Sequence, residues 1–428
     1  MESMTLKSDL RNDKIRNSRI VFLAVLYVGI TYTFLELLLN SENAFQLVFF
    51  SNHNAFFSDF FDSVYDSLAS DPYAERGVIY PAFIYVFYRA IAAFLPVAVS
   101  SAGSYAIRDS YVGEMIFHAY CYALMIAIFT IIVKIMHSKD KITKLFAFAL
   151  LLSTPVLYAY ERGNSILVSL LFLLLFFYLK DSEKGYQREW ALISLAVAAN
   201  IKIYPAIFGL LLLAEKKYIK AFRCMIYGVI LFVFPFFFFG GLKDIPLMFS
   251  NIFRTSSSFG GVYGYQVGIR HLLSYLSAVT GNPEILERTG MLTAFVAIIL
   301  LFNFFFTKEY FKKVLMLGIM CNLIPGFSWL YTTVYILPAV IYYYIDGSDR
   351  KNHIYPICFV LLFCQFPIDI SGILPTLKDN GIFVMRYNMT LSTVLSNIAL
   401  WVLLIVSFAE TVFECSSRYL SRRMKSKG

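Results

Sequence analysis

The stretch VGEMIFHAYCYALMIAIFTIIVKIM, residues 112–136, decides the class of fold. A helix crosses a bilayer with about 20 apolar residues, and this run exceeds that, with its charges Glu114 and Lys134 near its two ends. Similar runs occupy 20–39, 145–157, 166–179, 219–239, 291–306, 314–324, 332–345, 353–366 and 391–408. Two more, 78–99 and 190–214, are long enough to span but fit the charge pattern poorly. The reading is an all-α integral membrane protein. It is a multispan helical bundle of about 10–12 transmembrane segments in one polytopic domain covering residues 1–428.

Composition agrees. Of 428 residues, 59% are hydrophobic and 15% charged, where a soluble chain has about 25% charged residues. With 43 Phe, 30 Tyr and 3 Trp, lipid is the main solvent. That excludes a soluble enzyme, a disordered chain and a secreted disulfide scaffold. The net charge of +9 is better explained by basic loops facing an anionic leaflet than by nucleic acid, so no nucleic-acid partner is expected. Six cysteines, none in a CxxC pair, read as small apolar packing residues.

Lys and Arg mark cytoplasmic loops. The N-terminus (1–19) carries Lys7, Arg11, Lys14, Arg16 and Arg19 ahead of an apolar run with no cleavage site after it, so that run is expected to stay as an anchor. The tail (410–428) carries Arg418, Arg422, Arg423, Lys425 and Lys427. Both termini are therefore expected in the cytoplasm. Basic connections recur at 139–144, 216–223, 308–313 and 350–351. Residues 40–77 hold Glu42, Asp59, Asp62, Asp66, Asp71 and Glu75 against Arg76 alone, and read as an external acidic loop. Residues 240–289 form a second long external loop. With 139–144 inside, 78–99 lies on or dips into the outer face, and 190–214 dips in from the inner side, broken at Pro205. No internal repeat is visible, which counts against the repeat-built transporter folds.

Few charges remain that topology does not explain. Asp59, Asp62 and Asp66 are spaced i, i+3, i+7 and share one helix face, with Phe60, Phe61 and Val64 on the other. This describes an amphipathic helix lying on a leaflet. Its acidic face is either simply solvated or supplies a carboxylate that deprotonates a hydroxyl nucleophile beside a lipid-borne substrate. Glu161-Arg162-Gly163-Asn164 is a charged corner between two apolar runs. It is either an ordinary loop or a phosphate contact, with Arg162 as a planar fork of donors and Gly163 admitting a ligand to the backbone. Lys202 lies about 12 residues from each end of its apolar stretch, roughly 18 Å along a helix, too deep to snorkel, and is expected to face a cavity or a partner. Ser328, Trp329 and Tyr331 belong either to an interfacial belt or to a sugar-stacking platform. Arg254, Arg270 and His271 are candidate anion contacts. Five scattered His, no HExxH, no DxD, no Walker loop and no GxSxG elbow leave no metal, no cofactor and no nucleotide-driven reading.

In order and content the chain resembles glycosyltransferase family 87, the polyprenyl-phosphate-mannose-dependent mannosyltransferases and their bacterial relatives in the GT-C superfamily. The resemblance runs through a D-F-F-x-S-like segment (Asp59 to Ser63), Pro72-Tyr73, Tyr80-Pro81, Arg162-Gly163-Asn164, Lys202-Ile203-Tyr204-Pro205, Ser328-Trp329 and Leu337-Pro338. It implies a GT-C-type bundle whose first external loop contains membrane-lying helices. It also implies an inverting hexosyltransferase, moving mannose or another hexose from a polyprenyl-monophosphate donor to an envelope glycan or glycolipid on the non-cytoplasmic face of a bacterial plasma membrane. By motif, Asp59 maps to the catalytic base, with Asp62 standing where relatives often have Asn. Arg162, Asn164, Lys202, Tyr204, Arg270 and His271 map to the donor phosphate or lipid, and Tyr80, Ser328, Trp329 and Tyr331 to sugar or acceptor. No metal is implied. Two other readings stay open: a polysaccharide polymerase or ligase, and a lipid or polysaccharide transporter.

Overall fold

Residues 166–179 are apolar on every side, and a helix of that kind must be enclosed by others. A computed structural model of the chain describes residues 17–39, 56–138, 140–259, 265–346, 353–370 and 389–425. There, helix Ile166–Leu179 is wrapped by helices Tyr111–Ile135 and Gly185–Ile201, and the latter packs in turn on Tyr218–Val233. Ile166, Leu170, Leu173, Leu174 and Phe176 are completely buried. Peripheral helices do the opposite. Tyr218–Val233 exposes Tyr218, Ile219, Phe222, Met225, Val229 and Ile230, a surface that only lipid makes favourable.

The chain divides into two compact units, Leu37–Gly260, and Met1–Glu36 with Gly261–Gly428. Among the described residues five helices are long and apolar enough to cross a membrane: Asn17–Leu39, Tyr111–Ile135, Tyr218–Phe238, Thr289–Phe306 and Leu391–Tyr419. The pair Lys141–Leu151 and Thr154–Arg162, bent by 48°, makes a sixth if taken as one broken span. Other expected spans are apolar helices of 10–17 residues, among them Ile166–Leu179 and Ile354–Phe363. The protein is thus all-α and multispan. Lys7, Arg11, Lys14, Arg16, Glu42, Lys139, Arg350, Lys351 and Lys427, which enter the charge pattern, lie outside the described residues.

Local chemistry sets the helix ends in the first-named unit. Ser110 and Asp140 accept from the backbone N–H groups of Gly113 and Thr143, at 3.0 and 2.8 Å. Stretch 78–99 becomes helix Ala82–Ala92 and a turn, Val97–Ser100. Stretch 190–214 breaks as expected, but at Lys202 rather than at Pro205 itself: helix Gly185–Ile201 ends, Lys202 is extended (φ −136°, ψ 131°), and a 3₁₀ segment Tyr204–Gly209 follows. The reason is that Pro205 has no N–H to donate to the carbonyl four residues back, that of Ile201.

In the other unit the chain folds through Ile269–Thr280, Thr289–Phe306, Tyr310–Leu323, Leu337–Asp346, Ile354–Phe363 and Leu391–Lys425. The last helix carries the apolar run without interruption into the basic tail. Strands Gln266–Val267 and Ser328–Trp329 pair antiparallel, with Gln266 opposite Trp329 and Val267 opposite Ser328. Two buried polar side chains, Asn303 and Lys312, find partners here. Asn303 donates to Ser407 Oγ at 2.9 Å, and Lys312 reaches Glu410 at 2.8 Å and Glu309 at 3.1 Å.

Candidate active site

The site begins with a helix end. Helix Thr154–Arg162 stops at Gly163, whose φ of 63° lies in the left-handed region that costs glycine nothing. The turn is closed by Asn164 N–H to Ala159 O at 2.8 Å. A Cβ on Gly163 would lie 2.7 Å from Phe60 Cβ and 3.0 Å from Phe117 Cε2. The close approach that the glycine permits is therefore made by helix Ser58–Asp66, at the place where the phosphate-contact reading put a ligand. That helix is amphipathic as its spacing predicts: Phe60, Phe61 and Val64 are buried, and Asp59, Asp62 and Asp66 form the polar face. Its entry is also fixed, because Phe57, in left-handed conformation at φ 56°, donates its N–H to Glu161 O at 2.8 Å.

Docking the two segments places Asp59 against the charged corner. Arg162 donates to Asp59 Oδ1, and Asn164 Nδ2 donates to Oδ2 at 2.6 Å. The Asn164 side-chain oxygen, Oδ1, accepts from the N–H of Ile166 at 3.0 Å, at the start of the central apolar helix. Asn164 also hydrogen-bonds the Tyr80 phenol and is 2% exposed. Below it, Lys202 is 5% exposed, its Nζ stands 3.5 Å from the centroid of the Tyr80 ring, and its charge is attracted by Asp59. The Tyr204 phenol interacts electrostatically with that of Tyr80. Seven expected site residues, Asp59, Asp62, Tyr80, Arg162, Asn164, Lys202 and Tyr204, therefore fall in one neighbourhood.

The remaining carboxylates on the helix face are perturbed. Asp62 stands at the rim, where burial of its surroundings raises its pKa, against a hydrogen bond from Ser104 and the field of Arg162. Asp66 is half-buried and pushed up to about 7, by burial first and then by repulsion from Asp62, with Arg76 opposing. Arg76 itself stacks on the Tyr65 ring, 4.2 Å from its centroid.

The other expected residues form a second group in their own unit. The strand pairing draws Ser328 and Trp329 to the segment that leads into Arg270 and His271, the opening residues of helix Ile269–Thr280. His271, Ser328 and Tyr331 are buried, and Trp329 and Arg270 are half-buried. Arg254, the other anion candidate, instead donates to Asn251 Oδ1 at 3.2 Å, and Asn251 holds the Tyr73 and Val78 carbonyls at 3.0 and 3.1 Å. Among the described residues no three His, Cys, Asp or Glu side chains are grouped to hold a metal ion.

The family model for glycosyltransferase family 87 matches residues 79–331. The chain belongs to glycosyltransferase family 87. It is a membrane glycosyltransferase, acting on a sugar donor and an acceptor in the setting of a lipid bilayer, and the family is consistent with the GT-C superfamily. No curated protein and no solved structure matches the chain. The family 87 match contains Tyr80, Arg162, Asn164, Lys202, Tyr204 and the second group, but begins downstream of Asp59. Asp59 joins the site through its hydrogen bonds, not through the matched segment. Sequence reasoning singled out Asp59 and Arg162 and missed that they pair across 103 residues, for which no local spacing is a signal.

Proposed function

We propose that this family 87 enzyme transfers mannose or another hexose from a polyprenyl-monophosphate donor to a hydroxyl of an envelope glycan or glycolipid. The reaction takes place on the non-cytoplasmic face of a bacterial plasma membrane, with both termini in the cytoplasm. The acceptor oxygen attacks the anomeric carbon from the side opposite the phosphate, and the carbon–oxygen bond to phosphate breaks. The acceptor proton passes to an Asp59 oxygen, and polyprenyl phosphate leaves with the bonding pair, so the configuration inverts. One observation carries this reading: Asp59, on a leaflet-type amphipathic helix, is aligned by Arg162 and Asn164 while a second cation, Lys202, is held close by.

Arg162 and Lys202 are the groups that stabilise the negative charge gathering on the leaving phosphate. Tyr204 lines the donor, and Tyr80 meets the sugar. Arg270 and His271 are further anion contacts, and Ser328, Trp329 and Tyr331 sugar contacts, within their own unit.

The test is transfer by purified protein in nanodiscs, with radiolabelled polyprenyl-phosphate mannose and total envelope lipid as acceptor. Single-sugar addition is expected. A product ladder indicates a polymerase, and translocation in liposomes without a covalent product indicates a transporter. If Asp59→Asn and Asp62→Asn both keep the wild-type rate, the base assignment fails. For sidedness, a cysteine introduced at Ser138 is expected to resist an impermeant maleimide in intact cells, and efficient labelling overturns the topology.

A further inference from the structure

The amide of Asn164 is unusually constrained for a side chain beside a reactive carboxylate. Its carbonyl oxygen is committed to the N–H of Ile166 at 3.0 Å, a backbone group whose position is set by the central buried helix. With that end fixed, the NH₂ group has one direction left, toward Asp59 Oδ2 at 2.6 Å and the Tyr80 phenol. The side chain is 2% exposed, and the turn at Gly163 fixes the backbone from which it springs. On the far side Arg162 holds Oδ1.

We infer that Asn164 is a positioning residue, not a donor contact: it transmits the rigidity of helix Ile166–Leu179 to the Asp59 carboxylate, fixing its plane. The inference rests on the proposed role of Asp59 as base. The physical logic is that of a base oriented by a group that is itself oriented. Held by Arg162 alone, a carboxylate near the start of a nine-residue helix keeps freedom about its terminal torsion and loses the alignment that proton transfer needs.

Two substitutions separate this role from simple helix capping. Asn164→Ser and Asn164→Asp both keep an oxygen that caps the N–H of Ile166, because Ser, Asp and Asn cap helices almost equally well. Neither keeps the bond to Asp59, since Ser is too short and Asp meets it with like charge. The full-length protein in nanodiscs is examined by infrared difference spectroscopy at one fixed pH, with Asp59→Asn in the same background as the subtraction that isolates the Asp59 carboxylate bands. The splitting between the antisymmetric and symmetric Asp59 stretches, which reads the hydrogen bonds its oxygens accept, is expected to shift in both variants, with unchanged thermal midpoints. In the transfer assay kcat falls by about tenfold or more, while KM for the polyprenyl-phosphate sugar stays within about twofold. An Asp59 splitting that stays at the wild-type value in folded Asn164→Ser overturns the inference, and that variant alone decides if Asn164→Asp does not fold. The infrared measurement uses no substrate. Wild-type transfer by Asp59→Asn would sink the base assignment and leave the positioning measurement standing, so the two failures are told apart.

Discussion

Helix Ile166–Leu179 has two differently furnished ends. At its N-terminal end, Asn164 and Arg162 hold one carboxylate, that of Asp59, and the nearby Lys202 packs on an aromatic ring. At its C-terminal end Lys180 and Lys217 alternate with Asp181 and Glu215 in a closed ionic square. Lys180 meets Glu215 at 3.0 Å, Lys217 meets Asp181 at 2.9 Å, and each cation also contacts the other acid. Asp59 at the start and Lys180 at the end each suit the helix dipole, which favours an anion at the start and a cation at the end. In the square every charge is answered twice by opposite charge, and none has capacity to spare for a substrate. At the other end two cations bear on Asp59, one held by that carboxylate and one by an aromatic ring, so that positive charge is available to a phosphate. The difference separates a clasp from a reaction site, although both are ion-pair clusters on the same helix.

Substitutions at the two ends test that contrast. The largest effect is expected from Asp59→Asn, a loss of about a hundredfold to ten-thousandfold in transfer rate with the thermal midpoint nearly unchanged; a loss under tenfold would make this end another clasp. Next is Gly163→Ala. The left-handed backbone and the contact with Phe60 together cost about 2 kcal/mol or more, read as a lowered thermal midpoint, and an unchanged midpoint would show that helix Ser58–Asp66 does not dock as described. At the opposite end, Lys180→Met leaves Glu215 and Asp181 to Lys217 alone and lowers stability by about 1–2 kcal/mol. Its transfer rate per folded molecule should equal wild type, and a fall in kcat would contradict a purely structural clasp.

The smallest effect is at Asp66. Its folded pKa of about 7 lies above that of an unfolded aspartate, so the stability tied to its protonated form is present below about pH 4 and is lost as pH rises to about 7. Asp66→Asn is therefore expected to raise the thermal midpoint at pH 8 and leave it nearly unchanged at pH 4. An equal shift at both values would rule out the perturbed carboxyl.

Parts of this site were legible because they obey local periodicity. The i, i+3, i+7 spacing put Asp59, Asp62 and Asp66 on one face, and helix Ser58–Asp66 has that face. Pro205 announced a break, displaced to Lys202 because the missing N–H acts four residues upstream. Other parts were not legible. Gly163 reads either as part of an ordinary loop or as an opening for a ligand, and Phe60 fills the space beside it. The sequence leaves Arg162 open between a solvated loop and a phosphate contact, and its ion pair with Asp59, 103 residues away, has no local signal. The two-residue strands Gln266–Val267 and Ser328–Trp329 are too short to carry an alternating pattern.

What the sequence determined by itself was the solvent and the class: apolar runs of membrane length must close their backbone hydrogen bonds internally, and helices are what such runs become. It also determined which few ionisable residues topology leaves unexplained. Only the tertiary structure decided what those residues do to one another. A hydrogen bond between Asp59 and Asn164, 105 residues apart, depends on where two helix ends meet, and no property of either segment alone contains that distance.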